Sequence, residues 1–320
     1  MAVVIAQKQK IDRMRVTIPL NHLQSSMAMC IVNAPTDVAT TLKLKPWRGK
    51  YRTGLMLRSD DGLYSLAQVI AGINKNGQRY FQWELWPDNL SPEGHRLTLN
   101  AFLDVWDTFA MNFDPVFDLG HVLDTGKVSY LELARDFVGV TMGSILPWTV
   151  RARVGTVYAP HDTDNPGGTI YPIGTSYIGS EESPRRYCIY DKKKELIDGG
   201  KPCPYLSLTR IEARLSGLCI GVSDLASLPD QFQLLNVASV SKAKALSNDK
   251  PWQGFIHDAI DSGTVDAFSV LSKRHKKKYK AQLLDCTPTW WSNYGSIDKG
   301  QSVHPGVPYP ASKQSQCLSG

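Results

Sequence analysis

Apolar and polar positions divide the chain into stretches of different period. Residues 14–18 (Met-Arg-Val-Thr-Ile) alternate as a short strand that Pro19 should close. Residues 20–34 then carry Leu23, Met27 and Cys30 at helical spacing, with Asn21 as a cap. From residue 53 the period is two: 53–58, 63–71 and 79–86 predict strands, turned at Gly62 and Asn76-Gly77 and stopped by Pro87. A helix is predicted over 92–112, with Leu97, Leu99, Phe102, Leu103, Trp106 and Phe109 as its apolar residues.

A second unit follows the same order. Residues 127–137 alternate as a strand, 142–154 predict a helix, and 161–168 are a polar loop. Strands are predicted at 169–173, 176–178, from Arg185 to Tyr190 or beyond, and at 206–215. Two such units predict an α+β fold, an antiparallel sheet with helices on one face, made of two similar halves over 1–225. Residues 226–286 read as a helical, basic region, and the Pro-, Gly- and Ser-rich residues 287–320 as a flexible tail.

Strand alternation assigns faces. Leu131, Leu133 and Phe137 fall on one side and Glu132, Ala134 and Asp136 on the other. Ile211, Ala213 and Leu215 likewise oppose Arg210, Glu212 and Arg214. In the stretch Arg185-Arg-Tyr-Cys-Ile-Tyr-Asp-Lys192, the residues Arg186, Cys188, Tyr190 and Lys192 share a face if the strand runs that far. Three strands thus predict one charged, open face and one covered face. Such a face also describes plain solvated strands joined by ion pairs.

With 320 residues, 42% hydrophobic and 21% charged, the chain has the composition of a globular protein. Its net charge of +6 favours an anionic partner weakly. The distribution adds more: six of the eight residues at 273–280 are Lys or Arg. Lys273, Arg274, Lys276, Lys277 and Lys278 form either a solvated helix end or a seat for duplex phosphates. The six cysteines form no C-x-x-C pair, which excludes common zinc spacings. The apolar run at 2–6 is too short for a signal-peptide core, and no apolar run reaches about 18 residues. A cytoplasmic protein without membrane contact is expected.

Carboxylates on two strands, Glu132 and Asp136 with Glu212, suit a hard divalent cation, Mg²⁺ or Mn²⁺. Such a cation would polarise a phosphodiester, Arg210 and Arg214 would grip its oxygens, and Tyr190 would attack. A phenol near pKa 10 is a weak nucleophile, so Lys192 and the metal are expected to favour its ionised form. Tyr187 is the rival nucleophile, but alternation puts it on the core side; Cys188 reads as a bystander. No His-x-His pair and no G-x-x-x-x-G-K-[ST] loop occurs.

The strings Tyr187-Cys-Ile-Tyr-Asp-Lys-Lys-Lys-Glu195 and Thr209-Arg-Ile-Glu-Ala-Arg-Leu215 resemble replication initiation factors of rolling-circle plasmids and filamentous phages. That family has an R-I-Y-D/N-K stretch before an R-x-E-x-R strand, and an earlier R-I-D-x-A-x-D strand. Here the earlier strand is Tyr130-Leu-Glu-Leu-Ala-Arg-Asp136, with Tyr130 where the family has arginine and Glu132 where it has aspartate. The resemblance spans about residues 15–225. It implies Tyr190 as nicking tyrosine, Lys192 beside it, and Glu132, Asp136 and Glu212 at a Mg²⁺ or Mn²⁺ site. It implies origin DNA as substrate, and Arg186, Lys193, Arg210, Arg214 and the 273–278 cluster are, from their charge, the expected DNA contacts. A bacterial host's helicase and polymerase are implied partners, and a homodimer is left open. A non-catalytic DNA-binding protein on the same fold, or a conjugative relaxase, are the alternatives.

Overall fold

A computed structural model describes residues 5–6, 9–32, 40–42, 52–74, 76–90, 93–150, 154–158 and 174–292. The first part of the chain forms β1 (Ile5–Ala6), β2 (Lys10–Leu20), α1 (His22–Val32), β3 (Thr40–Leu42), β4 (Arg52–Arg58), β5 (Ser65–Ile73), β6 (Arg79–Leu85), α2 (Glu93–Met111) and α3 (Leu119–Thr125). Then come β7 (Lys127–Val138), β8 (Ile145–Thr149), β9 (Gly155–Tyr158), β10 (Thr175–Ile178), β11 (Arg185–Asp191), α4 (Lys192–Asp198) and β12 (Leu208–Gly221). The chain continues through β13 (Leu235–Ser239), α5 (Val240–Leu246), α6 (Lys250–Asp261), α7 (Thr264–Ser269), α8 (Lys273–Asp285) and α9 (Thr289–Ser292).

The fold is α+β. One antiparallel sheet has the order β3-β4-β5-β6-β2-β7-β12-β11-β10-β9, and β1 also pairs with β7. Its two halves follow one path. In each, the first strand (β2 or β7) pairs with the last (β6 or β12), and the meander runs outward from there. The halves meet where β2 pairs with β7.

Alternation places Leu131, Leu133, Ile211, Ala213, Tyr187 and Ile189 on one buried face. In the first half that face carries Trp83 and Phe81, against which Phe102 and Trp106 of α2 pack. In the second half, Phe232 covers it over Arg135 and the Tyr187 hydroxyl donates to Gln231 O at 2.6 Å. No helix of the described residues is long and apolar enough to cross a membrane.

Several predicted elements change. Pro19 does not end β2; it sits exposed opposite Tyr80, one residue before the strand closes. The helix predicted over 142–154 is a single 3-10 turn followed by β8. Pro147 cannot supply an interior helical N–H, and β8 instead pairs with β13, another segment whose apolar spacing looked helical. The predicted flexible tail begins too early, because Trp290 and Trp291 of α9 lie 5.0 and 5.7 Å from Phe137 between ring centroids. The loop at 161–168, the strand at 169–173 and residues 293–320 lie outside the described residues.

Gly126 sets how α3 delivers the chain into β7. A Cβ there would lie 2.4 Å from Val122 O and 2.5 Å from Val16 Cγ1. Gly126→Ala is expected to cost about 2 kcal/mol in urea unfolding, in the range of overpacking. Gly143→Ala, which would meet nothing within 4 Å, should leave the midpoint unchanged.

Candidate active site on the polar face of the sheet

Opposite residues of neighbouring antiparallel strands share a face, so the polar face reads as rungs crossing the sheet. One rung is Asp136, Arg210, Tyr190 and Thr175. The next is Lys10, Ala134, Glu212, Cys188 and Tyr177. A third is Arg13, Glu132, Arg214 and Arg186. Tyr190, Glu132, Asp136 and Glu212 therefore lie on one surface within three strands.

Tyr190 closes β11. Asp191 stops the strand by capping α4, its carboxylate accepting from Lys194 N at 2.9 Å. The Tyr190 hydroxyl donates to Glu212 Oε1 at 2.7 Å. The other Glu212 oxygen accepts from Arg214 Nε at 3.0 Å and Nη2 at 2.7 Å. Arg214 Nε also lies 3.5 Å from Glu132 Oε1, which accepts the Tyr130 hydroxyl. One guanidinium thus stands between two carboxylates, each holding a tyrosine.

Burial, and then the Glu212 carboxylate, push the Tyr190 hydroxyl well above the ordinary tyrosine value, with Arg210 opposing. The surrounding protein groups alone therefore hold the phenol protonated. Lys192 differs from expectation. It is the first residue of α4 rather than a strand residue; its Nζ lies 5.8 Å from the Tyr190 ring centroid and 2.6 Å from Glu195. Burial raises the Cys188 thiol to about 12, which makes it a poor nucleophile. Tyr187 is buried on the opposite face.

Arg210 was expected to grip phosphate, but only 2% of it is exposed and its guanidinium is already engaged. Asp136 accepts from Nε at 2.6 Å and Nη2 at 2.8 Å, and Asp12 from Nη1 at 2.7 Å. Lys10 Nζ completes the cluster at 2.9 Å from Asp136 and 2.8 Å from Asp88. These contacts join the first half (Lys10, Asp12, Asp88) to the second. The sequence reading missed Lys10, Asp12 and Arg13 because it started β2 at Met14. The charges spaced through 10–15 were the available signal.

The proposed ligands do not fit a Mg²⁺ or Mn²⁺ site as they are arranged. Glu212 is taken by Tyr190 and Arg214, Glu132 by Tyr130 and Arg214, and Asp136 by Arg210 and Lys10. Among the described residues, no group of three or more His, Cys, Asp or Glu is placed to hold a metal ion.

The remaining DNA-binding candidates are spread out. Arg186 lies 3.9 Å from the Tyr177 ring centroid and 3.6 Å from Glu181. Lys193 Nζ donates to Leu206 O at 3.0 Å, away from the rungs. Lys273, Arg274, Lys276, Lys277 and Lys278 lie on α8, where Tyr279 is buried against Trp252 and Phe255 and the cations face outward or lie half-buried. Several occupy the first turns, where the helix dipole disfavours positive charge.

No family model matches the chain, and no curated protein sequence matches it. Among solved structures, the chain is similar to a rolling circle replication initiator protein from Geobacillus stearothermophilus, at 14% identity and a TM-score of 0.34. That match covers 80% of this chain and 98% of the other. A likeness of this size assigns no activity here.

Burial opposes ionisation of Asp136, but the hydrogen bond and charge of Arg210, with Lys10, outweigh it and hold the carboxyl below 3.8. A depressed carboxyl stabilises the fold above its unfolded value, and that gain is lost as pH falls through the folded value. Asp136→Asn is therefore expected to cost about 3 kcal/mol at pH 7. The gap to wild type should narrow below pH 3.8 in denaturant titrations.

Proposed function

We propose that this chain is a nicking-closing enzyme of rolling-circle replication, with Tyr190 as its nucleophile. The observation that carries this reading is the 2.7 Å hydrogen bond from the Tyr190 hydroxyl to Glu212, whose other oxygen is held by Arg214. A phenol kept protonated needs a base at the moment of attack, and Glu212 already accepts its hydrogen. The resemblance of the strings around Tyr190 and Glu212 to rolling-circle initiation factors supports the same assignment.

In the step, Tyr190 Oη bonds to phosphorus and its proton passes to Glu212. The bond from phosphorus to the 3′ oxygen breaks, and that oxygen takes a proton from water. The products are a 5′-phosphotyrosine and a free 3′-OH. A later attack by a 3′-OH on the phosphotyrosine reverses the exchange and rejoins the strand. The ester bond is conserved throughout, so no nucleotide hydrolysis is required. Arg214 stands where it can meet the charge on phosphate oxygens. A divalent cation, as the resemblance implies, needs Glu132 and Glu212 oxygens that Arg214 now takes, so Mg²⁺ and Mn²⁺ are arms of the assay.

The substrate in this reading is origin DNA, single-stranded at the nick and duplex where α8 binds. A host helicase and polymerase would extend the 3′-OH. The second reading is a non-catalytic DNA-binding protein, favoured by the paired charges of the polar face. A conjugative relaxase would share the chemistry.

Incubation with supercoiled or single-stranded origin DNA, without metal and with Mg²⁺ or Mn²⁺, separates the readings through a covalent protein–DNA adduct. Tyr190→Phe should remove the adduct and Tyr187→Phe should retain it; equal adduct from wild type and Tyr190→Phe refutes the nucleophile. Glu212→Gln should slow adduct formation by about 10²- to 10⁴-fold at neutral pH, with partial recovery in alkali. Replacing Lys273, Lys276 and Lys277 with Gln should flatten the salt dependence of duplex binding by about 0.9 per lost phosphate contact. An unchanged slope removes α8 from the interface.

A further inference from the structure

The shared path of the two halves allows their polar faces to be compared position by position. Strands β2, β6 and β5 correspond to β7, β12 and β11. The rung Gln68, Glu84 and Arg15 is then the counterpart of Cys188, Glu212 and Ala134. Both carry a glutamate only 1% exposed on the last strand of the half. One rung further, Ile70 stands opposite Gln82 where Tyr190 stands opposite Arg210. The first half keeps the buried acid and has isoleucine at the position of the tyrosine.

What surrounds Glu84 is cationic. Arg13 and Arg15 both donate to its Oε1. Arg13 begins the rung that continues through Glu132 to Arg214 and Arg186, across the join of the halves. These guanidiniums stand against aromatic rings. Arg13 lies 5.2 Å from the Trp86 ring centroid, Arg15 5.0 Å from Tyr130, and Arg186 3.9 Å from Tyr177. The side chains of Arg13, Arg15, Arg214 and Arg186 are 31%, 29%, 29% and 17% exposed, recessed but reachable. Among the described residues, the buried Nε donors of Arg15 and Arg186 have no acceptor.

We propose that this rung seats the backbone of a single DNA strand crossing the β-strands, so that the first half, with Ile70 in place of the tyrosine, holds the strand that Tyr190 cuts. The inference rests on the nicking reading and extends it to Arg13, Arg15 and the first half. Recessed guanidiniums exclude a stiff duplex and admit a single strand. Guanidiniums and aromatic rings gathered on one surface are the groups on which unpaired bases stack. The rung spans three inter-strand spacings, about 14 Å. The glutamates aim the arginines, so the seat works by placed donors more than by net charge.

The test is fluorescence anisotropy of the full chain with a labelled 30-nucleotide mixed-sequence single strand, and with the same sequence as a duplex. Arg186→Gln and Arg13→Gln should each weaken single-strand binding about tenfold, as expected for a lost charged hydrogen bond. Each should flatten its salt slope by about 0.7 and leave duplex binding unchanged. Tyr190→Phe should bind the single strand as wild type does, which separates the seat from the chemistry. Unchanged single-strand affinity in Arg186→Gln overturns the seat, as does equal loss of single-strand and duplex binding. Arg186 contacts an exposed Glu181, so its variant carries the test even if Arg13→Gln, which strips a donor from buried Glu84, fails to fold. Loss of single-strand affinity in Arg186→Gln, with adduct still formed by Tyr190→Phe, would uphold the seat and reject the nucleophile.

Discussion

A guanidinium buried in a sheet is tolerated only where carboxylates surround it, and Arg210 sets this condition for the whole polar face. Asp136, Asp12 and Asp88 supply its counter-charge, with Lys10 balancing the surplus of acid. Desolvating an unpaired ion costs several kcal/mol, so these side chains are fixed together or not at all. Because they come from both halves, the network also locks the register in which β2 meets β7 and β7 meets β12. That register is what places Arg13, Glu132, Arg214 and Arg186 on one rung.

Next to this structural cluster lies a set of charges arranged differently. Arg214 is shared by Glu212 and Glu132, and it is far more accessible than Arg210. Tyr190 reaches into the set from the end of β11, where α4 begins. That placement brings together a neutral phenol, an accepting carboxylate and a guanidinium. Two arginines four residues apart on β12 are thus held differently, one buried among carboxylates from both halves and one shared by two glutamates and partly exposed.

The correspondence of the halves extends this division of labour. Glu84 repeats the buried acid of Glu212, while Ile70 takes the place of the tyrosine. A sheet doubled in this way keeps the buried acid in both halves and the tyrosine beside it in one.

Much of this could be read along the chain. Period-two alternation gave β4 to β7, β11 and β12 and assigned Tyr190, Glu132, Asp136 and Glu212 to one kind of face, because side-chain direction in a strand depends only on local backbone. The helix α2 and the turns at Gly62 and Gly77 were legible for the same reason. The β8–β13 ribbon was not, since two short apolar segments far apart in sequence become strands only by pairing with each other. Nor could alternation separate Arg210 from Arg214, which share a face and a motif. Local sequence determined which residues could meet across the sheet; strand order and register decided which charges are buried in pairs and which remain within reach of a ligand, because desolvation depends on neighbours that sequence spacing does not specify.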